Sequence, residues 1–306
     1  VLGGAADLLL VYPDHGLLYL NAGVSGFGEP IRIAFPCTAG PTTTVAIVDL
    51  LGHGQGCLVV AQQDVSAAGW YLDVCNGGFP DLLAEADNGI GGETSIAYRS
   101  STDFYLADRA RGVPWLTRLA FPVVVVERLD HTDSVNALVN TEQHQYRDGY
   151  YDPVERRFRG FGFVQSINAR AVNDGLWSFP SPHGSAAPIG GPAQLTRQWS
   201  YTGSFVSPDA EVAAYSSGFF TGTGPVPTIG GSVLAPPLRD GSADTVREAT
   251  AALAGSPIRT EIWSVADDGS LDAAPLQVEE NSQTVSELQP HIGDAWSSVM
   301  LTPRES

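Results

Sequence analysis

Two segments dense in aromatic residues and arginines limit the folds open to this chain more than any other feature. They are GIGGETSIAYRSSTDFYLADRARGVPWLTRLAFPVVVVERL at residues 89–129 and HQYRDGYYDPVERRFRGFGFV at residues 144–164. Polar and apolar residues alternate over 94–99 and again over 161–167, the pattern of strands that bury one face. Both segments therefore favour long twisted β-hairpins, and neither shows a motif arranged for chemistry.

Shorter signals predict further elements of a β-rich chain. Residues 122–127 form a continuous β-branched run, which predicts a strand buried on both faces. The pairs Asp148-Gly149 and Asp268-Gly269 are typical of hairpin turns. Segments rich in glycine, proline and serine at 178–192 and 222–237 predict loops.

One helix is predicted near residues 244–254. Thr245 and Glu248 have the spacing of a capping box at its start, and Gly255 followed by Pro257 predicts its end. An alternating strand at 258–263 follows directly. The sequence therefore predicts an all-β chain with one short helix packed on sheet.

The hairpin predicted at residues 145–164 allows a more specific expectation. In RGFGF, two glycines alternate with Phe161 and Phe163, so each residue type occupies one face of the strand. We expect the phenylalanines to pack, and Gly160 and Gly162 to admit a neighbouring segment. Truncating Phe161 to alanine is expected to cost about 3–5 kcal/mol. The nearby charges are expected to pair along the hairpin, namely Arg156, Arg157 and Arg159 with Asp148, Asp152 and Glu155.

The chain is predicted to contain two regions, 1–85 and 86–306, with a possible joint near 178–192. A β run at 6–11 leads to LYLN at 18–21, and about fifty residues later GCLVV at 56–60 leads to WYLD at 70–73. Short strands repeated at this period are typical of β-propeller blades, although two unrelated hairpins would give the same pattern. Two units cannot close a ring, so we expect the chain to be an internal piece of a longer protein.

The composition argues against several functions. The formal net charge of −18 disfavours nucleic acid and anionic membranes as partners. All sixteen basic residues are arginine, which excludes a Walker A lysine and a Schiff-base lysine. Cys37, Cys57 and Cys75 form no CxxC motif and are not predicted to build a disulfide framework or a metal site. No apolar run is long enough to insert into a bilayer.

Two weak motifs in the sequence resemble known functional sites. Residues 49–57, DLLGHGQGC, resemble the DxNGDGxxD calcium loop of FG-GAP or VCBS-like propeller blades. Leu51, His53 and Cys57 occupy donor positions there, so Asp49 is left nearly alone, and calcium needs six to eight oxygen ligands. The QxE motif at 277–279 and the arginine of YRSST at 98–102 resemble parts of ADP-ribosyltransferases, but chance explains them better. We predict no catalytic residue, no metal and no cofactor.

The two aromatic–arginine strings together resemble the B components of Tc toxin complexes, the insecticidal family with an SpvB-like N-terminal region. TRQWSYTG, REATAALAGSPIRTEIWSV, VSELQP and the terminal PRES match the middle region of that family in the same order. The resemblance implies that residues 1–85 are the last blades of a β-propeller. It implies that residues 86–306 begin a hollow shell of hairpins similar to RHS or YD repeats. The family protein is several times longer.

The resemblance also implies a function. The chain would be a non-enzymatic structural part of a secreted complex, made in the bacterial cytoplasm, that encloses and delivers a cytotoxic effector. Its partners would be the C component, which carries the effector and an autoprotease, and the pore-forming A component. Two alternatives remain: a secreted propeller module that recognises a host receptor or glycan, and a hydrolase or transferase whose site the sequence does not reveal.

Overall fold

The computed structural model describes residues 6–63, 69–136, 138–168, 187–188, 193–204, 207–222, 230–266, 269–290 and 297–305. The chain divides into two compact units. The first contains residues 1–84, 98–102 and 121–125, and the second contains 85–97, 103–120 and 126–306. Within the described residues most of the ordered structure is β-strand, in agreement with the predicted all-β class.

The first unit contains two three-stranded antiparallel sheets of the same simple form. In each sheet the middle strand is the most buried, with Leu18 in one and Cys57, Leu58 and Val60 in the other. The first unit thus contains two successive three-stranded meanders, but the alignment in the predicted repeat was wrong, because it compared an edge strand at 8–11 with a middle strand at 57–62. The strands are β1 (Leu8–Val11), β2 (His15–Tyr19), β3 (Ile31–Ala34), β4 (Thr43–Val48), β5 (Cys57–Gln62) and β6 (Gly69–Asp73).

The second unit is organised around a nine-stranded sheet, and a smaller sheet packs beside it. The smaller sheet has the order β14-β17-β18, and the larger has the order β16-β15-β13-β11-β10-β9-β8-β7, with β12 parallel to β10. The strands, some of which begin or end in the first unit, are β7 (Glu85–Asp87), β8 (Gly92–Ser100), β9 (Val124–Asp133), β10 (Leu138–Asp152), β11 (Arg157–Asn168), β12 (Ala187–Pro188), β13 (Ala193–Ser200), β14 (Val233–Leu234), β15 (Pro257–Val265), β16 (Gln277–Glu280), β17 (Ser282–Gln289) and β18 (Ser298–Glu305).

The core of the second unit lies on one face of this large sheet. Along β15, alternate residues from Arg259 to Val265 are buried, and they lie opposite Leu195 and Trp199, which β13 buries on the same face. The opposite face of β13 exposes Gln194 and Gln198. This alternation is the pattern of an antiparallel sheet that is covered on one side.

The described residues contain three α-helices rather than the single helix predicted: α1 (Ser101–Ala110), α2 (Pro208–Tyr215) and α3 (Ala243–Ala251). Only α3 was expected, and its proposed capping box was wrong. The cap is Ser242, whose hydroxyl accepts a hydrogen bond from the Thr245 amide at 3.2 Å. Thr245 therefore lies in the first turn, although Gly255 does end the segment with a positive φ of 86°.

The two unexpected helices carry their own start signals. The Thr102 amide donates to Ser100 Oγ at 3.2 Å at the start of α1, in a segment that we predicted to be hairpin. Ser207 caps α2 and is followed by Pro208 at the first helical position. Both are common helix beginnings, but the helices are only ten and eight residues long and give little periodicity.

Two local predictions were wrong. Asp148 and Gly149 form no hairpin turn, because β10 continues to Asp152 and the turn lies at residues 153–156. Asp152 makes this turn by accepting hydrogen bonds from the amides of Val154 and Glu155. Residues 122–127 are half-buried rather than buried on both faces.

Other predicted loops fall partly outside the described residues. Asp268 lies outside them, although the Gly269 amide donates to the Ala266 carbonyl at 2.9 Å in a tight connection. Of the predicted joint at 178–192, only β12 is described. Of the predicted loop at 222–237, residues 223–229 are likewise not described.

Candidate functional site: the long hairpin and the buried charges of the large sheet

The hairpin of β10 and β11 crosses the middle of the large sheet. A Cβ placed on Gly162 would lie 1.8 Å from the Tyr215 hydroxyl, so the expected close approach of a neighbouring segment is confirmed there. At Gly160 it is wrong, because no atom lies within 4 Å of such a Cβ. Gly160 instead has a positive φ of 99°, a conformation that glycine adopts without strain.

Aromatic rings surround this hairpin, as expected. The Phe161 ring lies 5.0 Å from the Tyr146 ring and 5.3 Å from the Phe158 ring, and its centroid is 6.3 Å from that of Trp115. The Phe163 ring belongs to a different group and lies 5.2 Å from Trp199 in the main core. The two phenylalanines therefore attach the hairpin to two separate clusters.

An ion cluster fixes the tip of the hairpin. Arg159 Nη2 lies 3.3 Å from Asp152 Oδ2 and 2.5 Å from Glu155 Oε2, so its predicted pairing is confirmed. Arg247 of α3 reaches the same two carboxylates at 3.5 Å. Burial alone would raise the pKa of Asp152, but hydrogen bonds from two backbone amides and from Arg159 hold it below its ordinary value.

The other predicted pairs along the hairpin are not formed. Arg156 and Arg157 are exposed and make no ion pair with a described residue. Asp148 is buried, and its Oδ1 accepts a hydrogen bond from the Leu116 amide. Burial raises the pKa of this carboxyl group. Its hydrogen bond from the Leu116 amide makes it an anchor for a loop rather than an ion-pair partner.

A second buried carboxylate connects α1 to the hairpin. Asp108 accepts hydrogen bonds from Trp115 Nε1 at 2.8 Å and from Arg147 Nε at 3.1 Å. Arg111 Nη2 contacts its other oxygen at 2.7 Å. This group was not predicted, because α1 was not predicted and the Asp-Arg-Ala-Arg segment with a following tryptophan carries no distinct signal.

The most deeply buried charges lie on β15. The Arg259 side chain is 0% exposed, and its Nε donates to Glu261 Oε1 at 2.8 Å. Its two Nη atoms donate to Glu280 on β16 and to the Phe220 carbonyl. Glu261 in turn accepts from the Phe220 amide at 2.8 Å and from Trp263 Nε1 at 3.2 Å. The hydrogen bonds of Arg259 and Glu261 are therefore made to structural groups of the protein, and they attach residues 219–220 to the sheet.

Glu211 of α2 is buried without a basic partner among the described residues. It accepts hydrogen bonds from the Thr202 amide and hydroxyl, each at 2.6 Å, and from the Gly203 amide at 3.3 Å. Burial raises the pKa of Glu211, and these three donors oppose the rise. The carboxyl group fixes the loop after β13, and its oxygens are directed at that backbone rather than at a substrate cleft.

The calcium-like loop of the first unit does not fit calcium. Asp49 Oδ1 accepts a hydrogen bond from the His53 amide at 3.0 Å, and its Oδ2 accepts one from the Gly54 amide at 2.9 Å. Asp73 closes a second loop in the same way, through the amides of Cys75 and Gly77. Backbone amides therefore occupy both carboxylates, and no group of three or more potential metal ligands occurs among the described residues.

We expect this loop to bind no calcium at micromolar concentrations, because one carboxylate cannot supply six oxygen ligands. Asp49→Ala should leave calcium titrations unchanged and lower the free energy of unfolding by about 1 kcal/mol, since two backbone amides lose their acceptor. Isothermal calorimetry with calcium, alongside denaturant unfolding, tests both statements. Micromolar affinity in the parent chain that disappears in Asp49→Ala would refute the first.

The cysteines and the QxE motif have surroundings typical of structural residues. The three cysteines are unpaired thiols, and Cys57 is buried in β5. Glu279 of the QxE motif lies on an exposed part of β16, where it accepts a hydrogen bond from the Asn281 side chain. No helix among the described residues is long and apolar enough to cross a membrane.

Comparison with known proteins gives a consistent result. The family model described as the insecticide toxin TcdB middle/N-terminal region matches residues 21–175. Crystal structures of TcdB2-TccC3 and TcdB2-TccC3-Cdc42 resemble the chain with TM-scores of 0.77 and 0.76 and with 24% and 23% identity. A Photorhabdus luminescens Tc holotoxin pore matches with a TM-score of 0.76 and 24% identity. No curated protein matches.

Each of these structural matches covers 97% of this chain and 14% of the solved chain. At this identity the likeness shows a shared fold. The chain therefore corresponds in fold to a short portion of much larger proteins.

Proposed function

This chain belongs to the family of the insecticide toxin TcdB middle/N-terminal region, and on that premise we propose that it is a non-enzymatic structural part of an insecticidal Tc toxin complex. Residues 1–85 would supply the last blades of a β-propeller, and residues 86–306 would begin an RHS-type shell of β-hairpins. The shell would enclose a cytotoxic effector before its delivery.

The observation that carries this proposal is the nine-stranded sheet, whose buried charges hold strands together. Arg259 joins β15 to β16 and to the segment at Phe220. Arg159 of β11 joins that strand to Asp152 at the end of β10 and to Glu155 in the turn between them. A container wall needs strands that are sealed side to side and fixed at their ends. A catalytic site would instead need polar groups aimed at a cleft.

The exposed apolar side chains of the first unit support the propeller assignment. Leu8 and Val11 of β1, and Ile47 and Val48 of β4, are each more than 40% exposed. Large apolar side chains that a strand leaves exposed are candidates for contact with another part of a larger protein. Neighbouring blades in a longer chain would cover them.

The partners follow from the family. We propose that the protein assembles with the C component, which carries the effector, and with the pore-forming A component. It would act extracellularly as part of the secreted complex after synthesis in the bacterial cytoplasm. The net charge of −18 argues against nucleic acid as a further partner, and we propose no direct membrane insertion.

Co-expression tests the proposal. The product of the complete reading frame that encodes this chain should co-elute with a C component in size-exclusion chromatography, and native mass spectrometry should give a defined complex. Separate elution would contradict the proposal. Binding of the isolated chain to a host glycan array without a C component would favour the alternative, a secreted propeller module.

Matched variants make the test specific to the wall. Arg259→Ala removes a fully buried partner and should reduce the yield of complex, whereas Arg239→Ala changes an exposed side chain and should leave the yield unchanged. Equal loss in both variants would show that assembly does not depend on the network in β15. Turnover of a substrate by the purified chain would revive the enzymatic alternative.

A further inference from the structure

A polar groove lies on the covered face of the large sheet, and Arg111 is the one lining residue that it shares with the networks described above. The groove has a volume of about 260 Å³, and the lining residues that matter here are Arg111, Gln145, Gln165, Ile167, Leu195 and Arg197. At about 30 Å³ per water molecule this is space for eight or nine waters, or for one side chain with its backbone. All of the lining residues belong to the second unit.

The strand register explains why these side chains converge. Gln145 of β10 lies opposite Gln165 of β11, and Gln165 lies opposite Arg197 of β13. Residues that lie directly opposite each other in antiparallel strands share one face of the sheet. The result is a row of two amides and one guanidinium, and Ile167 and Leu195 form an adjacent apolar row.

Arg197 of β13 lies directly opposite the buried Glu261 of β15, but the two side chains form no ion pair. The Nε of Arg197 donates to Gln165 Oε1 at 3.1 Å, and its guanidinium lies 5.5 Å from the centroid of the Trp263 ring. No carboxylate of a described residue lies within ion-pair distance of it, and its Nη atoms donate to no described residue. Burial lowers the pKa of Arg197, as expected for a cation held partly away from water.

Buried polar atoms without a partner lie beside the groove on the same face of the sheet. Gln143 lies opposite Arg128 on one side and opposite Ile167 on the other. Both amide atoms of Gln143 and both Nη atoms of Arg128 are buried without a partner among the described residues. Neither residue lines the groove, so binding in the groove would not depend on them.

We propose that this groove binds an extended peptide segment of a partner protein through a glutamate side chain. Its carboxylate would accept hydrogen bonds from the free Nη atoms of Arg197, and its methylene groups would contact Ile167 and Leu195. The amides of Gln145 and Gln165 would form hydrogen bonds with the peptide backbone. Arg111 is already paired with Asp108, so the anion would be selected by Arg197, whose Nη atoms have no partner among the described residues. The apolar row favours a carboxylate on an aliphatic stem over inorganic phosphate.

The test uses the 306-residue chain and the capped peptide acetyl-Gly-Glu-Gly-amide. Titration followed by ¹H–¹⁵N NMR should give saturable shifts of the Arg197 Nε–H and of the amides near Leu195. The glutamine counterpart acetyl-Gly-Gln-Gly-amide should bind at least about tenfold more weakly, because it lacks the charge that Arg197 recognises.

Variants give the controls. Arg197→Gln should lose at least about tenfold in affinity for the glutamate peptide. Arg197→Lys keeps the charge but loses the planar fork, so its affinity should lie between those of the parent chain and Arg197→Gln. Arg239→Gln, on an exposed side chain elsewhere, should bind as the parent does. Far-UV circular dichroism verifies that each variant is folded, and Arg197→Lys serves as the test if Arg197→Gln does not fold.

Three results would overturn the proposal: no saturable shift, equal binding of the two peptides, or unchanged binding in the folded Arg197 variants. Inorganic phosphate that binds as tightly as the glutamate peptide would also overturn it, because it would indicate a general anion site. The outcome does not depend on the proposed structural role in a toxin complex.

Discussion

Arg259→Ala is expected to lower the free energy of unfolding by about 3–5 kcal/mol, the cost of breaking a buried ion pair from one side. Arg259 is fully buried, and it donates to Glu261, to Glu280 and to the Phe220 carbonyl. Without the guanidinium, Glu261 keeps a buried charge that only the Phe220 amide and the Trp263 ring nitrogen still bind. The contacts among β15, β16 and residues 219–220 would weaken together.

Urea unfolding followed by circular dichroism measures this loss. Arg239→Ala is the matched control, because Arg239 is 68% exposed and contacts only the equally exposed Asp240 in the described structure. Its effect should stay within about 0.5 kcal/mol. A loss below about 1 kcal/mol in Arg259→Ala would mean that the network around β15 contributes little to stability.

Phe161→Ala is expected to cost about 3 kcal/mol. This value is the lower end of the range for truncating a phenylalanine, because the side chain is only partly buried. Its ring contacts three others, Tyr146, Phe158 and Trp115, and so joins the hairpin to the loop after α1. The truncation removes one ring from each of these pairs.

Val154→Ala is the control for this second variant, since Val154 is 62% exposed at the tip of the same hairpin. Its change in unfolding free energy should be near zero. If Phe161→Ala shifted the urea midpoint no more than Val154→Ala does, Phe161 would have no structural role in the hairpin.

Local patterns in the sequence predicted the strands that follow a regular alternation. The alternation at 94–99, 161–167 and 258–263 correctly placed strands β8, β11 and β15. The helices α1 and α2 were missed, because ten and eight residues contain too few turns to show a clear period. Ser207 followed by Pro208 was a usable start signal for α2.

The contacts that define the site could not be predicted from spacing. Arg259 and Phe220 are 39 residues apart, and Asp108 and Arg147 are also 39 apart, so only the pairing of strands brings them together. The pairing of Arg159 with Asp152 and Glu155 was predictable because a single hairpin contains all three. The groove at Arg197 was not predictable, because it requires the register of three strands.

The resemblance to the B components of Tc toxins rested on ordered strings of sequence, and it is confirmed at the level of the family. The finer assignments, propeller blades for residues 1–85 and shell for residues 86–306, stay predictions. They concern the parts of a longer protein to which the two units would belong.

Electron cryomicroscopy of the complex formed by the complete reading-frame product and a C component tests the central claim most directly. We expect density for a closed hollow shell, with strands β8 to β16 forming part of its wall and with β1 to β6 forming blades of a propeller. Density in which these strands form a freestanding domain, outside any enclosed chamber, would contradict the claim that this chain is part of a container.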